Sequence, residues 1–101
     1  MSYWFPFTEN TLDLNAIPAI KELSHLPIIS DPSHGTGIRS YVASMSKASI
    51  AAGADGLILE GYHDPDNSMT GDGVQALFPD QFSILMNDLK HLATAIGRDM
   101  D

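Results

Sequence analysis

Two short apolar runs constrain the fold of this chain more than any other feature. Residues 26–30 and 56–60 are each continuous and apolar up to a polar last residue. Such runs are typical of strands buried on both faces, as in a parallel sheet that helices cover. A parallel sheet of only two strands keeps both edges open and cannot bury its own faces. The runs therefore predict an α/β fold in which this chain forms part of a larger sheet.

Helical periodicity precedes, separates and follows the two runs. The first predicted helix begins after Asn15, a favourable N-cap residue. The second spans residues 39–52 and ends at Gly53, and the third begins at Pro79 and ends at Gly97. Their apolar stripes are Leu14, Ile17, Ile20 and Leu23; Tyr41, Val42, Met45 and Ala48; and Phe82, Leu85, Met86, Leu89, Leu92 and Ile96. The predicted order is helix, strand, helix, strand, helix.

Composition excludes several classes of function. The formal net charge is -8, which argues against a nucleic-acid partner because phosphate binding needs a basic face. The chain has no cysteine, so it can form neither a disulfide nor a thiolate metal ligand. No apolar run reaches the roughly 18 residues of a membrane span. The N-terminus does not resemble a signal peptide, so the expected compartment is cytoplasmic and no membrane partner is predicted.

Polar side chains follow both predicted strands, where α/β proteins place their reactive groups. Asp31 and His34 come after the first strand, and Glu60 ends the second. An imidazole together with carboxylates suits a divalent transition metal such as manganese, iron or zinc. The same residue types also have plain structural uses, since Asp31 can form an Asx-turn and Glu60 can simply be solvated. The Gly-Thr-Gly stretch at 35–37, which opens the second helix, could also bind an anion through its backbone amides.

Four segments occur in an order and spacing that point to one family. They are Asn-Thr-Leu-Asp-Leu at 10–14, His-Leu-Pro-Ile-Ile at 25–29, Asp-Pro-Ser-His at 31–34 and Ala-Ala-Gly-Ala-Asp-Gly-Leu at 51–57. The set resembles the last third of the class I 3-deoxy-7-phosphoheptulonate (DAHP) synthases with short catalytic barrels. The 3-deoxy-octulosonate-8-phosphate synthases are similar, but the first segment fits the heptulonate enzymes better.

The resemblance implies the C-terminal segment of a (β/α)8 TIM barrel, from helix 6 through strand 7, helix 7 and strand 8 to helix 8. Residues 1–101 would form a single partial barrel domain, family-like over 10–97 and atypical over the aromatic residues 1–9. Strand 7 would be 26–30 and strand 8 would be 56–60.

The resemblance also implies a reaction and a site. The family condenses phosphoenolpyruvate with erythrose 4-phosphate, opening the shikimate pathway to aromatic amino acids, and binds a divalent metal (Mn, or Fe or Zn) through Cys, His, Glu and Asp. By motif, His34 is the catalytic metal-binding histidine and Glu60 the glutamate. The aspartate is Asp72 or a neighbour in the same loop. Arg39 and Asp72 would contact substrate.

Several departures from the family pattern shape the expected activity. The cysteine ligand is absent, and Ile38-Arg39 stands where two consecutive arginines are usual. We therefore expect the chain to be inactive alone and to bind both substrates only when complemented. Expected protein partners are a second copy, giving a homo-oligomer, or a complementing barrel chain. The alternative is a non-enzymatic truncated remnant, or an oligomeric binding module with a residual divalent-metal site.

Overall fold

The computed structural model describes residues 11–61 and 76–100 as alternating helices and short strands. The strands β1 and β2 pair in parallel, with Ile29 opposite Gly56 and Ser30 opposite Leu57. The longest link between them is a helix, so they form a β-α-β crossover unit. The elements are α1 Ala16–Leu23, β1 Ile29–Ser30, α2 Pro32–Thr36, α3 Arg39–Ala52, β2 Gly56–Leu57 and α4 Pro79–Ala95. The predicted order is confirmed, with α2 as an addition.

Both strands are shorter than the apolar runs that predicted them. Beyond the paired residues, the Asp55 N–H donates to the Ile28 carbonyl and the Ile58 N–H donates to the Ser30 carbonyl, both at 2.8 Å. Each strand has one neighbouring strand within the described residues, so a regular ladder forms on one side only. Ile29 is 52% exposed and Ile58 is 55% exposed. The predicted burial on both faces is therefore incomplete in this chain.

The segment after the first strand, where Asp31 can form an Asx-turn, contains the helix α2. Asp31 caps this helix, because its Oδ1 accepts the His34 backbone N–H at 3.0 Å. Pro32 stands at the first helical position, where its missing N–H costs nothing. Gly37 ends the helix with a φ of 68°, in the left-handed region that favours glycine. The side chain of Asp31 thus shapes the turn, as its residue type predicted.

The core lies between α3, α4 and the outer side of β2. Its buried residues are Val42, Leu77, Leu85 and Leu89, with Leu57 and Leu59 packed against them. The α4 prediction is confirmed at its start, Pro79, and the chain leaves the helix at Gly97, which has a φ of 79°. In the described ranges, no helix has both the length and the apolar character needed to cross a bilayer.

The predicted apolar face of α3 is partly wrong. Tyr41 is exposed, whereas Ser46 and Ser49 are completely buried. Their hydroxyls are satisfied inside the protein. Ser46 Oγ donates to the Val42 carbonyl at 2.6 Å, and Ser49 Oγ lies 2.8 Å from Ser30 Oγ of β1. Small hydroxyl side chains therefore allow α3 to approach the sheet where larger apolar residues would not fit.

The face predicted for α1 is buried at a single residue, Ile17. Ile20 is exposed, and Leu23 is 87% exposed. Together with Ile29 and Ile58, these side chains are apolar groups that the described part of the chain covers incompletely. The aromatic segment at 1–9 and residues 62–75, which include Asp72, lie outside the described residues.

Candidate functional site

His34 and Glu60 meet at the carboxyl ends of the two parallel strands. His34 Nε2 lies 3.4 Å from Glu60 Oε1, and both side chains are partly exposed. His34 belongs to α2, directly after β1, and Glu60 follows β2. Because parallel strands end at the same edge of a sheet, the register of β1 and β2 brings these two residues together. The predicted pair is thus adjacent in space and accessible to a ligand.

Asp31 holds His34 through both of its carboxylate oxygens. Oδ1 accepts the His34 backbone N–H at 3.0 Å, and Oδ2 lies 2.8 Å from His34 Nδ1. An ionised carboxylate only accepts, so Nδ1 must carry the proton and donate it. In the neutral ring, the lone pair is then left on Nε2, on the side that faces Glu60. This is the arrangement that orients histidine ligands in metal sites.

The backbone of Glu60 is held on both sides although it lies beyond the end of β2. Its N–H donates to Ser33 Oγ at 2.9 Å, and its carbonyl accepts the Leu77 N–H at 2.9 Å. A parallel bridge between Gly61 and Leu77 continues this second connection. The Glu60 carboxylate therefore projects from a fixed backbone towards His34.

The separation of the two side chains fits a shared divalent cation. Ligand atoms about 2.1 Å from one ion lie about 3.4 Å apart at a tetrahedral angle. The observed distance from His34 Nε2 to Glu60 Oε1 is 3.4 Å. One imidazole and one carboxylate suit manganese, iron or zinc. Within the described ranges no group of three or more potential ligands comes together. The third predicted ligand, Asp72, lies outside those ranges.

Arg39 is engaged with the segment that leads into α4. Its Nε donates to the Ala76 carbonyl at 2.6 Å, and its guanidinium carbon lies 4.5 Å from the centroid of the Phe78 ring. These contacts hold the start of α4 against the start of α3. Binding of a substrate phosphate by Arg39 stays a prediction.

An open groove of about 450 Å³ lies beside the His34 turn. Its polar lining includes Asp13, Asp31 and His34. On its wall Leu12 presses against Gly35, since a Cβ at position 35 would lie 2.7 Å from Leu12 Cδ1. Leu12 and Asp13, from the segment at 10–14, line this groove together with Asp31 and His34, from the segment at 31–34.

A second polar cluster, which the sequence did not reveal, lies at the opposite end of the strands. The Asp55 carboxylate accepts from Lys21 Nζ at 3.0 and 3.1 Å, from the Ile28 N–H at 2.9 Å and from Arg98 Nη2 at 2.8 Å. The Ile28 bond, then Lys21 and Arg98, lower the pKa of Asp55 to about 2. Residues at this end of a barrel strand are typically structural, and Asp55 joins three parts of the chain.

The chain's sequence matches one family over nearly its whole length. The sequence profile of the DAHP synthetase I family matches residues 2–96. This chain belongs to that family. The match begins within the aromatic segment at 1–9 and ends at Ile96, the residue that follows α4.

Two relatives that this chain matches are several times longer than the chain. Phospho-2-dehydro-3-deoxyheptonate aldolase of Thermotoga maritima is 46% identical over 90 residues, which are 89% of this chain and 26% of that protein. The 2-dehydro-3-deoxyphosphooctonate aldolase of Syntrophobacter fumaroxidans is 35% identical over 96 residues, covering 84% of this chain and 33% of that protein. The chain thus spans about a quarter to a third of these relatives' length.

Solved structures of the Thermotoga maritima DAHP synthase superpose closely on the chain. One has a TM-score of 0.93 and 41% identity, covering 98% of this chain and 29% of that one. A truncated form also has a TM-score of 0.93, with 40% identity, covering all of this chain and 38% of that one. The chain has the fold of the C-terminal segment of a (β/α)8 barrel. In this correspondence α1 is helix 6, β1 strand 7, α3 helix 7, β2 strand 8 and α4 helix 8.

Proposed function

We propose that this chain is the part of a 3-deoxy-7-phosphoheptulonate synthase that contributes His34 and Glu60 to a divalent-metal centre. The observation that carries the proposal is the 3.4 Å approach of His34 Nε2 to Glu60 Oε1 at the carboxyl ends of two parallel strands. This is the end of a (β/α)8 barrel at which active sites form. The complete protein would condense phosphoenolpyruvate with erythrose 4-phosphate in the shikimate pathway.

The residues of this chain would have distinct tasks in that reaction. His34 and Glu60 would hold the metal from adjacent strands, and Asp72 would close the site from the following loop. When bound, a manganese, iron or zinc ion supplies Lewis-acid polarisation of a substrate carbonyl. Asp31 keeps the His34 ring in the tautomer that presents Nε2. Arg39 would neutralise a substrate phosphate, and Asp72 would also contact substrate.

We further propose that the 101-residue chain has no synthase activity alone. It contains no cysteine, so the thiolate ligand of the family pattern must come from another polypeptide segment. The exposed side chains Ile29 and Ile58 lie on the strand face that would line the barrel. Apolar groups in that position favour coverage by the remaining barrel strands or by a second copy of this chain. The substrates would bind only in such an assembly.

A different class of function is supported by the contacts of Arg39. Its guanidinium binds the Ala76 carbonyl and stacks on Phe78, which is a structural use of that side chain. A non-enzymatic remnant, or an oligomeric binding module, would retain the His34 and Glu60 pair only as a residual metal site. Metal binding without activity in any complemented mixture would favour this alternative.

Complementation separates the two functions. The purified chain is assayed with both substrates and manganese, alone and mixed with a polypeptide that carries the first six strands of the Thermotoga maritima relative. We expect heptulonate phosphate only from the mixture, and none when the chain carries His34→Ala. The matched control is His91→Ala, because His91 lies on α4, where its Nδ1 bonds to the Asn87 carbonyl of the same helix. Product from the chain alone would contradict its proposed inactivity. A stable but inactive mixture would favour the binding module.

A further inference from the structure

The hydrogen bond that the backbone N–H of Glu60 donates does not belong to the sheet. The last regular bond of the parallel pair runs from the Ile58 N–H to the Ser30 carbonyl at 2.8 Å. In a regular parallel ladder the next bond on this side would join the Glu60 N–H to the carbonyl of residue 32. Residue 32 is Pro32, the first residue of α2, and its carbonyl accepts Thr36 Oγ1 at 2.7 Å. The turn that brings His34 into the site thus ends the ladder before Glu60.

A side chain replaces the missing strand carbonyl. Ser33 Oγ accepts the Glu60 N–H at 2.9 Å. Ser33 is completely buried, at 0% exposure, so its hydroxyl is shielded from water. An apolar residue at position 33 would leave the Glu60 N–H without this acceptor, and unpaired amides in a protein interior are strongly disfavoured.

We propose that Ser33 is a positioning residue, whose buried hydroxyl fixes the backbone at Glu60 and thereby holds the Glu60 carboxylate beside His34. One turn of α2 then sets both ligands. Asp31, its cap, orients the His34 ring, and Ser33 places Glu60 across the strands. The inference rests on the proposed function only in assuming that His34 and Glu60 bind a metal. The hydrogen bond from the Glu60 N–H to Ser33 Oγ does not depend on that assumption.

Ser33→Ala is the direct test, and Ser46→Ala is its matched control. Both serines are 0% exposed, but Ser46 Oγ bonds to the Val42 carbonyl within α3, away from the site. Three quantities are measured on the full chain. The first is the dissociation constant for manganese, by calorimetry. The other two need no metal: they are the amide exchange rate at Glu60 and the NOE between His34 Hε1 and Glu60 Hγ. If either alanine variant fails to fold, Ser33→Cys and Ser46→Cys replace the pair, because a thiol is similar in size and a weak acceptor.

Ser33→Ala is expected to weaken manganese binding about tenfold or more, the range seen when partners of metal ligands are removed. It should also speed exchange at Glu60 and weaken the NOE, while Ser46→Ala leaves all three unchanged. Equal effects of the two variants would overturn the positioning role. If the unmodified chain binds no manganese, the proposed function fails. In that case the exchange rate and the NOE still test the positioning role of Ser33. That role is refuted if Ser33→Ala changes neither of them.

Discussion

Asp55 Oδ1 accepts a hydrogen bond from Arg98 Nη2 at 2.8 Å, which joins the start of β2 to the segment after α4. The same carboxylate binds Lys21 of α1 at 3.0 Å and the Ile28 N–H ahead of β1 at 2.9 Å. Arg98 also donates to the Ala54 carbonyl at 2.8 Å. The Asp55 side chain thus joins α1, the residue before β1 and the segment that follows α4.

Replacing Asp55 with Asn should lower the urea midpoint of unfolding. The amide removes the negative charge that Lys21 and Arg98 share. Asp88→Asn is the control, because Asp88 pairs with Lys47 at 3.2 Å on the surface, where ion pairs contribute little. Circular dichroism during urea titration provides the measurement. If Asp88→Asn lowers the urea midpoint as much as Asp55→Asn does, the ion pairs of Asp55 contribute no more than an ordinary pair on the surface.

The same carboxylate predicts a pH dependence of stability. Its pKa falls from the ordinary 3.8 to about 2 in the folded chain, chiefly through the Ile28 N–H bond and then Lys21. A depressed pKa contributes stability that is fully present above the unfolded value and is lost as pH falls through the folded one. The stability difference between the native chain and Asp55→Asn should therefore shrink between about pH 4 and about pH 2. Urea midpoints across this range test it, and a constant difference would contradict it.

Metal binding should depend on His34 more than on the other histidines. The chain is expected to bind manganese or zinc with a dissociation constant of about 1 μM or weaker, because a thiolate is lacking. His34→Ala should reduce the affinity more than His63→Ala or His91→Ala, as determined by calorimetry. His91 bonds to the Asn87 carbonyl on α4. Equal losses for all three variants would remove His34 from the site.

Asp31 should matter to the metal through His34. Asp31→Asn is expected to weaken metal binding about 10–100-fold, since an amide no longer enforces a proton on Nδ1. Asp13→Asn is the control, because Asp13 lines the same groove and its Oδ1 accepts the N–H of nearby Asn15 at 3.1 Å. Comparable affinities for the two variants would show that Asp31 serves only as the cap of α2.

Assembly should depend on the exposed face of the strands. The chain alone is expected to self-associate at micromolar concentration, because Ile29 and Ile58 are about half exposed and each strand has one strand neighbour among the described residues. Ile29→Lys should reduce association measured by light scattering, whereas Ile84→Lys, on the exposed side of α4, should not. A monomer whose strand amides are well protected from exchange would contradict the need for a partner.

Elements with strong local signals were predictable from the sequence. Pro79 and Gly97 bracket α4, and Gly53 ends α3, because the conformations required there suit those residues. The approach of His34 to Glu60 followed from parallel strands ending at one edge, and the family resemblance selected it from the alternatives.

Other features depend on tertiary register, which composition does not reveal. The predicted apolar stripe of α3 does not include Ser46 and Ser49, yet both are buried. Their hydroxyls form hydrogen bonds inside the protein, to a backbone carbonyl and to another hydroxyl. The strands were predicted too long, since apolar runs do not show how many neighbours a strand has. Ser33 and Asp55 accept backbone N–H groups at the ends of the strands. Which N–H groups lack a partner in the sheet is determined by the fold and cannot be read from the sequence.

The contact between Leu12 and Gly35 has a consequence for sequence change. A Cβ at position 35 would come within 2.7 Å of Leu12 Cδ1, so an alanine there requires the end of the leucine side chain to move. A shorter side chain at position 12 would remove this contact. The cost of Gly35→Ala should therefore be smaller when residue 12 is already alanine, so the two positions are energetically coupled although more than twenty residues separate them along the chain.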